Sequence, residues 1–145
     1  VSVTDKQIYE SPKGKTPKRY RLPDERRSKT HKFVLHGNDD MEYKGYLIVG
    51  LYDDGTPGEM FIYSMKSGSM ISGLLDTIAI ELSIALQYGI PLDVFVDKFV
   101  HTRFEPQGMT DNPQIRIAKS LVDYIFRWLT NEFLDKKEGI ENDES

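Results

Sequence analysis

Cysteine is absent from the 145 residues. That removes disulfides, thiolate metal sites, iron–sulfur clusters and any cysteine nucleophile or thiyl radical from the chemistry of this chain. Histidine is nearly as scarce: His31, His36 and His101 show neither HxxxH nor HExxH spacing, so no helix-borne zinc site is expected. GxSxG, GxxxxGK[ST] and GxGxxG are missing too, which leaves serine nucleophiles and the common phosphate loops without a motif. The longest apolar-rich run, MISGLLDTIAIELSIAL, carries Asp76 and Glu81, so no membrane span is predicted. The chain starts with neither Met nor a signal-peptide pattern. It reads as a processed, excised or tag-trimmed product, with the cytoplasm as default address.

What is present fits one domain with tails: 39% hydrophobic and 29% charged residues, on a chain long enough to bury a core. The net charge of -4 is unevenly spread. Lys13 to Lys32 holds nine of the nineteen Lys and Arg residues against two acids, while acids crowd the tail DKKEGIENDES. Residues 1–30 are therefore expected to be a flexible basic linker or arm, 31–135 a single domain, and 136–145 an acidic disordered tail. Lys18, Arg19, Arg21, Arg26, Arg27 and Lys29 are the candidate contacts of that arm for a phosphate-rich partner; a merely solvated linker is the competing reading.

The periodicity predicts α+β: a three-stranded antiparallel sheet over about 31–65, then three helices at about 70–88, 91–100 and 115–135 packed mainly on one face. HKFVLHG alternates Phe33 and Leu35 against Lys32, Val34 and His36, and DDGTPG marks the turn of a hairpin from Gly45 to Met65. Ile71, Leu74, Leu75, Ile78, Leu82 and Leu86 recur at helical spacing, with Ser69 as N-cap and Gly89 with Pro91 as the stop. In the last helix Leu121, Val122, Ile125 and Leu129 form the apolar stripe, with Asp123 and Arg127 off it.

Three segments invite chemistry. Lys66, Ser67, Gly68 and Ser69 precede a helix and suit an anion, although capping alone explains the serines. The acids Asp39, Asp40, Glu42, Asp53 and Asp54 sit in turns that Asx chemistry accounts for, so no metal site is expected. In HTRFEPQG, His101, Arg103 and Glu105 alternate like an acid–base set. The alternative is a structural clasp of His101, Arg103, Phe104 and Glu105, with Phe104 plugging the core. Tyr46, Tyr52, Phe61 and Tyr63 on the hairpin pack the core or, on an open sheet face, stack bases.

RYRLPDERRSKTHKF, GYLIVGLYDDGTPGEMFI and the long stretch from Ser72 to Leu129, with HTRFEP and DYIFRWL inside it, resemble the C-terminal region of adenosylcobalamin-dependent class II ribonucleotide reductases, including the TSCPD domain. The resemblance implies that ribonucleotide reduction belongs to a separate barrel with cysteines and cobalamin, so this chain carries no catalytic residue and no cofactor of its own. GNDDMEYKG looks longer than the connection usual in that family. The implied function is a non-catalytic accessory domain for assembly or nucleotide holding, partnered by the reductase catalytic domain or by its own copies. The alternative is a reductase-derived module binding RNA or single-stranded DNA in a larger ribonucleoprotein or phage-encoded system.

Overall fold

The computed structural model describes residues 17–65 and 69–134. Three long strands come first: β1 (Ser28–Gly37), β2 (Glu42–Leu51) and β3 (Pro57–Ser64). Helices α1 (Met70–Gln87) and α2 (Leu92–Phe99) follow, then two very short strands, β4 (Gly108–Thr110) and β5 (Ile117–Ala118), and finally α3 (Leu121–Phe133).

The sheet has five strands in the order β3-β2-β1-β4-β5, all neighbours antiparallel. The expected three-stranded sheet is therefore too small. Its error has a physical cause, because β4 and β5 span three and two residues and no alternation can declare itself over so short a run. They form because Gly108 holds φ at +159° and lies so close to β1 that a Cβ there would stand 1.9 Å from the His36 carbonyl oxygen. Only glycine lets the backbone approach that closely. The helix spans hold to within a few residues, apart from α3, which starts at Leu121 and not near 115.

Strand alternation sorts the side chains into two faces. His31, Phe33, Leu35, Leu47, Val49, Met60 and Ile62 point inward, and all but half-buried His31 belong to the core. The helices supply the other half of that core. Leu75, Ala79 and Leu82 come from α1, Leu92 and Val96 from α2, and Leu121, Tyr124, Ile125, Phe126, Trp128 and Leu129 from α3. α3 lies between the sheet, where Tyr124 meets Phe33, and α2, where Phe126 meets Phe99 at 5.3 Å between ring centroids. Burying side chains of this size contributes about 1.5–3 kcal/mol each, so α3 is the central beam of the domain.

The two edges of the sheet are closed differently. β5 is only two residues long. β3 is covered by α1: the Ser83 hydroxyl accepts the Met60 N–H at 2.8 Å, and Gln87 Nε2 donates to the Gly58 carbonyl at 3.0 Å.

Candidate functional site

Residues 17–27, part of the 1–30 segment expected to be a flexible linker or arm, run over the body as a pinned strap. Tyr20 N–H donates to the Gln87 carbonyl and Tyr52 Oη donates to the Tyr20 carbonyl. Arg19 Nε donates to Gln87 Oε1 at 2.9 Å, and Arg26 grips Glu59 through Nε at 2.6 Å and Nη2 at 3.1 Å. A planar guanidinium fits a carboxylate in this two-point way, and Glu59 is what holds the Arg26 guanidinium's pKa above its usual value. Gly58 makes room for the strap at a bulge in the β2–β3 pairing; a Cβ there would strike the Tyr52 ring at 2.6 Å and Leu22 at 3.0 Å. Arg27 reaches the Asp53 carbonyl, Lys29 pairs with Glu132, and the Lys18 ammonium sits 5.0 Å from the Tyr20 ring centre. The basic residues named from sequence thus do not share one task. Arg26 and Lys29 are held by carboxylates, while Arg19 and Arg21 face a cleft.

That cleft, of about 630 Å³, lies between the strap, β3 and α1. Arg19, Arg21 and Arg26 line it with Asp24, Glu59 and Asp76, and Phe61, Tyr63, Ile80 and Ile84 form its apolar walls. Positive and negative groups balance there, so it has no strong preference for an anion.

The HTRFEPQG loop does not assemble an acid–base set. The exposed His101 adopts φ +69° and its imidazole Nδ1 lies 3.8 Å from Asp123, whereas Arg103 Nη1 donates to Gln107 Oε1 at 2.9 Å and Gln107 Nε2 donates to Glu105 Oε2 at 3.0 Å. Arg103 and Glu105 therefore meet through Gln107, away from His101. Phe104 corrects a second expectation: it is 47% exposed, and it is Pro106, after a cis Glu105–Pro106 bond, that is buried.

The buried polar centre of this region is Asp123, which sequence placed off the buried stripe and which is 0% exposed. Its carboxylate accepts the His101 N–H at 2.6 Å, the Lys119 N–H at 2.9 Å and Arg127 Nη1 at 3.3 Å. Ser120 caps α3 by accepting the Asp123 N–H and donates its own hydroxyl to the Thr102 carbonyl. The Ser-x-x-Asp spacing at 120–123 is the readable signal for this cap. With every acceptor directed at the protein itself, the cluster is structural.

The remaining histidines are likewise engaged. His31 Nε2 lies 2.7 Å from Tyr124 Oη and its ring stacks on Trp128 at 5.0 Å; burial lowers its pKa below 6.5 and raises that of Tyr124 above 10. His36 stands between Asp111 and Glu42 on the surface. Among the described residues no group of His, Asp and Glu is arranged to hold a metal ion. Lys66, Ser67 and Gly68 lie outside the described residues; Ser69 caps α1, its Oγ accepting the Ser72 N–H at 3.1 Å.

The family model for the TSCPD domain matches residues 15–133. This chain belongs to the TSCPD domain family. Its relatives include the vitamin B12-dependent ribonucleotide reductase of Rhodopirellula baltica, 54% identical over 134 residues that make up 92% of this chain and 12% of that protein. The enzyme of the same name from Streptomyces avermitilis is 45% identical over 118 residues, 81% of this chain and 12% of the relative. That of Agrobacterium fabrum is 36% identical over 137 residues, 94% and 10%. The TSCPD domain described here is thus related to the C-terminal region of class II reductases, and it spans about an eighth of the length of the first two relatives or less. No solved structure matches it.

α1 is long and apolar enough, by length and composition alone, to cross a membrane, yet only Leu75, Ala79, Leu82 and Gln87 of its 18 residues are buried. Met70 is 79% exposed, Ile80 60% and Leu74 58%, and Ile84 and Tyr88 continue the same face.

Proposed function

We propose that this TSCPD domain is a non-catalytic docking element of a cytoplasmic cobalamin-dependent ribonucleotide reductase, attached to the larger part of that enzyme through the exposed face of α1. The observation that carries the reading is the apolar stripe Met70, Leu74, Ile80, Ile84, Tyr88, exposed among the described residues, with Ile80 and Ile84 also walling the cleft. A stripe of this extent on a folded domain marks an interaction surface. The relatives support this occupant, since in them this region is part of a polypeptide about eight times its length. The lack of cysteine supports a role outside radical and dithiol chemistry. Adenosylcobalamin is proposed to be held by the separate barrel that the family resemblance implies. The cofactor is accordingly assigned to the rest of the reductase.

The test is co-expression of the 145-residue chain with the remaining portion of a vitamin B12-dependent reductase, followed by size-exclusion chromatography. Co-elution is expected, and loss of co-elution in an Ile80→Lys, Ile84→Lys double variant whose circular dichroism is unchanged. Separate elution of the unaltered chain, or co-elution that survives both lysines, would remove the proposal.

A further inference from the structure

The sheet surface opposite the core carries an ordered set of side chains, two of which, Phe61 and Tyr63, also wall the cleft beside α1. Cross-strand register places Lys32, Tyr46 and Tyr63 in one row and Thr30, Ile48 and Phe61 in the next. Lys44 adjoins on the other side, opposite Val34. Tyr63 is 58% exposed and Phe61 44%, with Tyr46 half-buried between strands. Lys32 makes no ion pair with any described residue, and Lys44 is held loosely by exposed Glu42 at 3.3 Å. At one end the strap crosses this surface, where Arg26 is tied to Glu59 and Arg21 faces the cleft beside Phe61 and Tyr63.

Large flat rings on an open sheet, spaced by a strand pitch and bordered by lysines, match what an unpaired nucleotide strand offers: π-faces for stacking and phosphates between them. We infer that this face binds single-stranded nucleic acid, with bases stacked on Tyr46, Tyr63 and Phe61 and phosphates met by Lys32 and Lys44. The charge pattern decides for this occupant over a protein surface. Acids dominate the chain as a whole, at net -4, yet the rows bearing these three aromatic rings contain Lys32 and no acid, and the flanking acids of this face, Glu42 and Glu59, are paired with Lys44 and Arg26. Strand geometry supplies no reader of base edges, so the binding is tolerant of sequence. It prefers single strands because paired bases hide their faces. Phe61 and Tyr63 share the cleft with Ile80 and Ile84 of α1, and Lys32 and Tyr46, outside it, separate the inference from the docking role of α1.

Fluorescence anisotropy of a labelled single-stranded oligonucleotide, titrated with the 145-residue chain at about 50 and 200 mM salt, tests it. Binding tighter than about 100 μM at the lower salt is expected, with a matched duplex bound more weakly. Tyr63→Ala is expected to weaken the complex about 5- to 150-fold, and Lys32→Gln to reduce the slope of log affinity against log salt by about 0.7. Both side chains are exposed, and circular dichroism checks that the fold is kept. Absence of binding at low salt overturns the inference, as does an affinity indifferent to a Tyr46→Ala, Tyr63→Ala double variant, which would leave only the charge of the arm. Should the oligonucleotide not bind while that double variant loses co-elution with the reductase portion, the face is a protein contact. The α1 lysine variant fails independently of all these outcomes, so the two readings are separable.

Discussion

α1 and α3 invert the usual relation between hydrophobicity and burial. α1 is apolar almost all round, with Asp76 and Glu81 as its only charges, and four of its 18 residues are buried. α3 is mixed in composition, with Asp123, Arg127 and Glu132, yet seven of its 13 residues are buried, Asp123 among them. The difference separates two uses of apolar surface. α3 spends its surface inside the domain, between sheet and α2; α1 has more than β3 can cover, and the surplus is directed outward.

This contrast can be broken first at α3. Trp128→Ala should destabilise the domain by about 3–5 kcal/mol, measured by urea denaturation, since the ring is buried and stacks on His31. Asp123→Ala should cost about 3 kcal/mol, because it strands two backbone N–H groups and removes the partner of Arg127 in a buried site. Smaller is the effect of pH through His31. Its folded pKa is depressed by burial, so the unfolded chain binds the proton more readily. Stability from this group is complete above about 6.5 and is lost as pH falls from there through the folded pKa. Chemical denaturation across that range should show the loss, and His31→Gln should flatten it. At the small end, Ile80→Ala on the outward face of α1 should change domain stability by less than about 0.5 kcal/mol, in contrast to Leu82→Ala on the opposite, buried face, which should cost about 2–5 kcal/mol. Equal losses at positions 80 and 82 would erase the distinction between the two faces of α1.

Much of the architecture was legible. Alternation in β1 set Phe33 and Leu35 on one face, which proves to be the buried one, and helical spacing with Ser69 and Gly89 bounded α1. These signals are periodic and therefore local. What escaped depends on partners distant in sequence. β4 exists only because β1 and β5 flank it. The strap at 17–27 is held by Gln87, Tyr52 and Glu59, none of which its own composition announces. Asp123 is charged and so reads as solvent-facing; its burial is made tolerable by the N–H groups of His101 and Lys119, supplied by a loop and the helix entrance. Phe104 misled in the opposite direction, since an aromatic ring in a loop invites the inference of burial while Pro106 occupies the interior. At the aromatic hairpin, residue type was readable but face was not, and register between β2 and β3 decided that Tyr46, Phe61 and Tyr63 point outward.

The Ser83 hydroxyl on the flank of β3 has a bearing on how the molecule behaves in company. An open strand margin invites another molecule to add a strand, and repetition of that step builds fibrils. Here Ser83 engages both the N–H and the carbonyl of Met60, and Gln87 takes the carbonyl of Gly58, while β5 at the opposite margin offers two residues. Copies of the domain can meet through side chains on their faces, but their backbones cannot knit end to end into a continuous ribbon along this stretch of β3.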